Sequence, residues 1–274
     1  MINQDKLRTL VMAKSKTSGL APDLLYRNYL FERFLERLSL SPYKEKFIIK
    51  GGFLIGSISG IEQRATMDID TTIKNLQLEI ENLQTIIQDI AGIEIDDGVI
   101  FEILTFKEIR EQDIYPGFRV SFVGIIGKMR MPLKLDIVTG DVIVPEEVLH
   151  THKLHFENRE IQFWGYAIET ILAEKVETVL ARGITNTRPR DYYDIYLLSS
   201  ISTLDFTQFR ESLLATTTNR NTSKAVQNYD SILENVQQDP TMNKQWRTYQ
   251  SSFPYAKGIA FETVITSVHK ILQT

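Results

Sequence analysis

Residues 64–74 read RATMDIDTTIK, a stretch in which apolar and polar side chains alternate. This period of two predicts a β-strand with one apolar and one acidic face. The apolar face would carry Met67, Ile69, Thr71 and Ile73, and the other face Asp68, Asp70 and Thr72. Side chains two residues apart on a strand lie about 7 Å from each other. Because both carboxylates ionise at neutral pH, they repel each other unless a cation is bound beside them.

A divalent cation would remove the repulsion between Asp68 and Asp70. Mg²⁺ binds carboxylate oxygens and takes water or phosphate oxygens as its other ligands. A third acid, Asp136, lies in the alternating segment PLKLDIV and belongs to a different predicted strand. Three carboxylates on strands suit two metal ions about 4 Å apart that act on a phosphate group. The alternative is an exposed strand face with solvated acids.

A pair of glycines precedes the acidic strand. Residues 46–53, KFIIKGGF, predict a short strand that ends in a tight turn directly after Lys50. Gly51 and Gly52 would let backbone N–H groups approach a phosphate closely, because no Cβ intervenes. The spacing matches neither the P-loop nor the G-x-G-x-x-G motif. A simple turn is the alternative.

The remaining pattern predicts the fold class. Strand-like segments follow the acidic strand, and from about Gly165 onward the pattern becomes helical, including residues 206–216, 222–235 and 257–272. We therefore predict an α+β fold. Residues 1–150 would form a core with a mixed sheet and N-terminal helices, and residues 151–274 a mainly helical domain that completes the nucleotide site.

Two predicted helices of the second part carry charged residues. Lys175 shares the apolar stripe of its helix with Ile171 and Val179, which predicts that it points inward. Such a lysine either extends to the surface or meets an anion. Asp191 and Asp194 share one helix face at i and i+3. Either could position Lys175 or a ligand, and Asp191 could instead compensate the helix dipole.

The composition excludes several classes of site. The chain of 274 residues has no cysteine, so disulfides and thiolate metal sites are excluded. Its net charge of −4 gives no global attraction for nucleic acid. RNA binding would need a local basic groove. The candidates are Lys128, Arg130 and Lys134, or Arg182, Arg188 and Arg190.

Three of the four histidines lie close together in the segment HTHKLH, residues 150–155. We predict a polar loop there rather than a metal site, because no carboxylate stands at metal-motif spacing. No apolar run reaches membrane-spanning length, and the first residues lack the pattern of a signal peptide. These features predict a soluble, cytoplasmic protein that does not bind membranes.

The order of these motifs resembles a known fold and a known family. The glycine pair, the D-x-D motif and the later Asp136 resemble the DNA polymerase β-like nucleotidyltransferase fold. FIIKGGFLIG, RATMDIDTTI and ETILAEKVETVLARG…RPRDYYDIYLL, over about residues 25–200, resemble the AbiEii family. These are nucleotidyltransferase toxins of abortive-infection (antiviral defence) and type IV toxin–antitoxin systems. Phe53 departs from the small residue expected after the glycines.

The resemblance implies roles for particular residues. Metal binding and catalysis fall on Asp68, Asp70 and Asp136. Further catalytic roles fall on Lys175 and on Asp191 or Asp194. Together with the glycine turn and its flanking residues, this gives the predicted nucleotide-binding set: Lys50, Gly51, Gly52, Arg64, Thr66 and Lys175. Arg64 could hold a phosphate through two hydrogen bonds, whereas Thr66 could merely favour the strand.

The resemblance also implies a reaction and partners. The enzyme would be Mg²⁺-dependent and would transfer NMP from an NTP to an acceptor hydroxyl on RNA, at the tRNA 3′ end. The transfer would inhibit growth and be opposed by a cognate antitoxin. Two alternatives stay open: the acceptor could be a small molecule or a protein hydroxyl, or the protein could bind nucleotide without turnover.

Overall fold

The computed structural model describes residues 2–74, 80–109, 117–201 and 204–273. The chain divides into two compact units, one of Met1–Asp141 with Val148–Gly165 and one of Val142–Glu147 with Tyr166–Thr274. The helices of the first unit are α1 (Gln4–Ser18), α2 (Pro22–Leu40), α3 (Gly51–Ser59) and α4 (Ile80–Ala91). Its strands are β1 (Phe47–Lys50), β2 (Ile69–Ile73), β3 (Val99–Ile109), β4 (Gly117–Ile126), β5 (Met129–Val138), β6 (Val148–Lys153) and β7 (Glu160–Gly165).

Within the described residues, the strands of the first unit form one seven-stranded sheet in the order β3-β4-β5-β2-β1-β7-β6. The pairs β1–β7 and β2–β5 are parallel, and the other neighbouring pairs are antiparallel. The sheet is therefore mixed, and the predicted α+β class is confirmed.

Strand β1 lies inside the sheet, between β2 and β7, and its sequence FIIK is mostly apolar. All four of its residues are buried, as expected for a strand with neighbours on both sides and helices on its faces. Helix α2 packs against β5 and β7. Its Phe34 contacts Phe101 and Phe122 of the β3–β4 hairpin, with ring centroids 5.6 Å and 5.2 Å apart. Helix α2 therefore supports β5, which carries Asp136, and the β3–β4 hairpin beside it.

The second unit is helical in its described part. Its helices are α5 (Ile168–Arg182), α6 (Pro189–Ser199), α7 (Phe206–Asn219), α8 (Ser223–Gln227), α9 (Tyr229–Gln238), α10 (Pro240–Ser252) and α11 (Phe261–Gln273). Helix α5 packs against α6 and α7, and α11 packs against α6 and α9. Sequence reasoning did not predict α10. No helix in the described ranges combines the length and apolar character that crossing a membrane requires.

The division into units differs from the predicted boundary between residues 150 and 151, which falls inside β6. Strand β7 pairs with β1 through Ile49 and Gly165, and β6 pairs along the length of β7. Hydrogen bonding therefore joins residues 148–165 to the sheet of the first unit.

Candidate active site

Three neighbouring strands bring the predicted acids to one part of the sheet. In the parallel pair β2–β5, Asp70 lies directly opposite Asp136. In the antiparallel pair β1–β2, Lys50 lies opposite Asp70. Neighbouring strands lie about 4.8 Å apart, so the side chains of Asp70 and Asp136 occupy adjacent positions. Asp70 and Asp136 are far apart in the sequence, and the pairing of β2 with β5 brings them together.

The first acid lies just before the strand rather than within it. Strand β2 begins at Ile69, so Asp68 belongs to the preceding bend, and Met67 is about half exposed instead of packing on the apolar face. Thr66 donates a hydrogen bond from Oγ1 to Asp68 Oδ1 at 3.0 Å. Thr66 is itself buried, so it orients Asp68 and does more than favour a strand.

Thr72 was expected on the acidic face, but it is buried. Its Oγ1 donates to the backbone oxygen of Val138 on β5 at 3.2 Å, which satisfies the hydroxyl within the sheet. The acidic face of β2 therefore consists of Asp70 and not of a longer polar row.

The glycine pair forms the junction of β1 and α3, where close packing requires both residues. Gly51 has φ +67°, and a Cβ added to it would lie 2.1 Å from Asp70 Oδ2. A Cβ added to Gly52 would lie 2.8 Å from Thr66 Oγ1 and 3.0 Å from Arg64 Nη2. The first turn of α3 thus lies directly against the D-x-D segment, and only glycine permits this approach.

The residue after the glycines packs into the core. Phe53 is buried and contacts Phe31 edge-on, with ring centroids 6.4 Å apart. Its ring also lies 6.1 Å from that of Phe163 on β7. A large side chain at this position therefore anchors α3 to the first unit and leaves the glycine turn intact.

Arg119 on β4 joins the acidic group, and sequence reasoning did not identify it. Its Nε and Nη2 donate to the two carboxylate oxygens of Asp136 at 2.7 Å and 2.6 Å. Hydrogen bonding to Asp136, followed by the charges of Asp136, Asp68 and Asp70, raises the pKa of Arg119 against the opposing effect of burial. One cation therefore lies within the electrostatic reach of three carboxylates.

The donor set fits a divalent metal ion by its chemistry. Three carboxylates and one guanidinium carry a combined charge of −2, and carboxylate oxygens are the ligands that Mg²⁺ prefers. Asp136 has both oxygens bonded to Arg119, so it can bind an ion only by exchanging that partner. The described residues do not bring Asp68, Asp70 and Asp136 together as a group whose ligand atoms all lie within 4.8 Å of one another.

The predicted nucleotide-binding residue Lys50 has an ionic partner. Its Nζ forms a short ion pair with Asp141, and both side chains are largely buried. Arg64 is buried as well, and its Nη1 donates to the backbone oxygen of Ala65. Lys50 and Arg64 are thus held in place by their own surroundings beside the glycine turn.

In the second unit, the three charged residues predicted as a functional group form one cluster. Lys175 Nζ lies 2.7 Å from Asp191 Oδ1 and 3.1 Å from Asp194 Oδ2. Both carboxylates are buried, and Asp191 Oδ2 has no hydrogen-bond partner in the described residues. Lys175 therefore points inward, as its position in the apolar stripe predicts, and it contacts both candidate acids.

The predicted polar loop at residues 150–155 is wrong. His150 and His152 belong to β6, because residues 148–153 pair with β7 over six positions, and His155 follows in the turn. His152 is buried against Glu32 of α2. The partner of His152 is Glu32, a carboxylate 120 residues away in the chain. Local spacing in the sequence cannot reveal such a partner.

Comparison with known proteins places this geometry in a family. The family model described as "Nucleotidyl transferase AbiEii toxin, Type IV TA system" matches residues 33–267, which include every predicted site residue. No curated protein sequence matches the chain.

Two solved structures share the fold. JHP933 from Helicobacter pylori is 16% identical, with a TM-score of 0.51 over 93% of this chain and 94% of that chain. A candidate nucleotidyltransferase from H. pylori is 17% identical, with a TM-score of 0.51 over 93% of this chain and 96% of that chain.

Proposed function

Because the chain belongs to the AbiEii family of nucleotidyl transferase toxins from type IV toxin–antitoxin systems, we propose that it transfers NMP from an NTP to an RNA hydroxyl. A bond forms between the acceptor oxygen and the α-phosphorus, and the bond from that phosphorus to pyrophosphate breaks. The tRNA 3′ end is the proposed acceptor. Transfer would inhibit growth as part of antiviral defence in the cytoplasm, where NTPs and tRNA occur, and a cognate antitoxin would oppose it.

One structural observation supports this proposal most strongly. Asp70 lies in register with Asp136 on the neighbouring strand and in contact with Gly51 at the start of α3. A carboxylate pair and the N-terminus of a nine-residue helix thereby meet at one point. Carboxylates can hold a cation, and a helix N-terminus favours a phosphate, so the two features suit a metal–triphosphate substrate.

The proposal assigns the metal ligands to Asp68 and Asp70, with Thr66 orienting Asp68 through its hydrogen bond. Mg²⁺ bound there would neutralise phosphate charge and polarise the α-phosphate. Asp136 would serve as a third ligand or would take the proton of the acceptor hydroxyl. Either role requires Asp136 to leave Arg119, and the freed guanidinium could then bind a phosphate oxygen.

The remaining residues would bind the nucleotide phosphates. Backbone N–H groups of Gly51 and Gly52 would donate to phosphate oxygens at the start of α3. Arg64, beside Gly52, would add a positive charge. For the second unit, the resemblance implies a catalytic role for Lys175, with Asp191 and Asp194 positioning it through the ion pairs that they form.

Asp70→Asn tests the metal role directly. The substitution keeps the size of the side chain but removes the charge, so transfer from an NTP labelled on the α-phosphate should fall at least about a hundredfold. Growth inhibition should disappear, while circular dichroism shows a folded protein. Asp23→Asn is the matched control because that aspartate is exposed on α2 and should leave transfer unchanged.

The same assay separates the alternatives. Label should appear in the RNA fraction when total RNA and total protein are offered separately. Label in protein or in a small molecule would replace the RNA acceptor, and Mg²⁺-dependent NTP binding without any transfer would identify a nucleotide-binding protein. Undiminished transfer by Asp70→Asn would refute the assigned metal ligands.

A further inference from the structure

Glu32, His152 and His155 meet in the first unit and share no residue with the aspartate site. Among the residues that the structure describes, they form a group whose three ligand atoms all lie within 4.8 Å of one another. Glu32 lies on α2, His152 on β6, and His155 in the turn that follows. Glu32 and His152 are buried, and His155 keeps 14% of its side chain exposed.

The two oxygens of the Glu32 carboxylate have different surroundings. Its Oε1 lies 3.0 Å from His152 Nε2 and contacts His155 Nδ1. The same oxygen accepts hydrogen bonds from the backbone N–H of His155 at 3.1 Å and from Asn28 Nδ2 at 3.3 Å, and Asn28 Nδ2 also lies 3.1 Å from His155 Nδ1. Its Oε2 is buried and has no hydrogen-bond partner in the described part of the chain. An unpartnered buried carboxylate oxygen is costly, so its presence indicates a missing ligand.

Two imidazoles lie against one buried carboxylate. The side chain of Glu32 has no exposed surface, and the rings of His152 and His155 both contact its Oε1. Such a group is stabilised by a proton or by a metal ion.

The second nitrogen of His152 is already fixed. His152 Nδ1 lies 2.7 Å from Ser57 Oγ on α3. When Nδ1–H donates to that hydroxyl, Nε2 presents its lone pair toward Glu32. A hydrogen bond to the non-ligating nitrogen is the usual way in which proteins orient a histidine for metal binding.

We propose that Glu32, His152 and His155 bind one divalent transition-metal ion of the Zn²⁺ class. Two imidazole nitrogens and one carboxylate suit Zn²⁺ and its neighbours, whereas Mg²⁺ prefers oxygen ligands. The ligand atoms are His152 Nε2, His155 Nδ1 and the Glu32 carboxylate, with water in the remaining position. The exposed edge of His155 gives the ion a path from solvent.

The ion would join separate elements of the first unit. It would link α2 to the β6–β7 hairpin, and through Ser57 it would support the end of the helix that starts with the glycine pair. A structural site of this kind stabilises the folded state by the free energy of binding. It needs no contribution from the nucleotide site, so it stands whether or not the proposed transferase activity is found.

Titration of the full-length protein with Co²⁺ after chelator treatment tests the proposal. We expect one Co²⁺ per chain, with visible absorption bands typical of a four-coordinate site that contains nitrogen ligands. Zn²⁺ should displace Co²⁺, abolish the bands and raise the melting temperature, whereas Mg²⁺ should do neither. A native chain that binds neither Co²⁺ nor Zn²⁺ would overturn the proposal and leave the group as a hydrogen-bonded cluster.

Variants locate the site. Glu32→Gln and His152→Gln should abolish the Co²⁺ bands and the melting shift, and Ser57→Ala should weaken binding about tenfold through the lost orientation of His152. His150→Gln is the matched control, since it removes another histidine of β6 and should keep native affinity. Native binding by Glu32→Gln, or loss of binding in His150→Gln, would contradict the assignment. If Glu32→Gln does not fold, Ser57→Ala and the control still decide it.

Discussion

Arg119 changes how the acidic residues are understood. The predicted third metal ligand, Asp136, is held at both oxygens by this arginine, at 2.7 Å and 2.6 Å. Bidentate pairs of this kind are geometrically specific, so the guanidinium fixes the orientation of Asp136 before any ligand binds. In the proposed mechanism, a cation that took the place of Arg119 would couple metal binding to the availability of Asp136.

Tyr29 provides a prediction for stability and its pH dependence. Burial raises the pKa of its hydroxyl from 10.0 to about 12, and this hydroxyl has no hydrogen-bond partner in the described ranges. As pH rises, the Tyr29 hydroxyl therefore ionises at a lower pH in the unfolded chain than in the folded protein. The contribution of Tyr29 to stability is complete below pH 10 and is lost as pH rises toward 12.

Replacing Tyr29 with phenylalanine should remove this alkaline loss. Tyr29→Phe keeps the ring contact with Arg33 and eliminates a desolvated hydroxyl, so it should stabilise the protein by about 1 kcal/mol at neutral pH. Urea unfolding at several alkaline pH values measures the difference between variant and native protein. The difference should widen above pH 10. Parallel stability curves would show that the Tyr29 hydroxyl is not the titrating group.

Candidate site residues can be proposed from the sequence where their chemistry lies within a short segment. RATMDID and KGG make Asp68, Asp70 and the glycine pair candidates, because charge repulsion and backbone freedom are local properties. Arg119 and Glu32 were missed because their partners lie on other elements. FRVSF alternates, so Arg119 could have been placed on the face opposite its apolar neighbours, and the β4–β5 register would then have found Asp136.

Helix α3 and β2 define the site at the level of elements, and Gly51 sets their separation. Gly51→Ala would introduce a Cβ at φ +67°, which costs about 1–2 kcal/mol, and would also drive that atom into Asp70. We expect a loss of transfer that exceeds the loss of stability, because the carboxylate must move. Initial rates and thermal melts of the variant measure these two effects.

Gly258→Ala is a control that introduces the same kind of backbone strain as Gly51→Ala without a steric clash. Gly258 also has positive φ, +82°, but nothing lies within 4 Å of an added Cβ. This variant should lose a similar amount of stability and keep native transfer. Equal losses of activity in both variants would mean that backbone strain alone, rather than contact with Asp70, explains the effect of Gly51→Ala.

The elements themselves were predicted unevenly. Strand β1 and helix α2 carry continuous or helical apolar patterns, which local sequence reports well. The polar sequence HTHK predicts a loop, but pairing with β7 makes these residues part of strand β6. Helix α10 has a largely polar sequence, PTMNKQWRTYQSS, in which the buried residues are Met242, Trp246 and Tyr249, spaced i, i+4 and i+7 along one face.

At the scale of the whole molecule, the distribution of charged residues determines where an acidic chain can bind RNA. The net charge is −4, so any RNA contact must come from a local group of cations. Arg130 forms an ion pair with Glu102 at 2.6 Å, which offsets its charge. No carboxylate in the described residues pairs with Arg182, Arg188 or Arg190 at the α5–α6 connection. We therefore favour the arginine group as the RNA contact.

Charge reversal at two arginines of this group tests that preference. The double variant Arg182→Glu/Arg188→Glu should raise the KM for RNA at least about tenfold. The KM for NTP should stay unchanged, since these arginines are proposed to contact the phosphates of the RNA backbone and not those of the NTP. The slope of log affinity for RNA against log salt should fall by about two. Lys128→Glu/Arg130→Glu is the control, because it changes the net charge equally on the β4–β5 hairpin. Equal weakening by both variants would indicate a general effect of net charge, and weakening by the control alone would place the RNA contact on the hairpin.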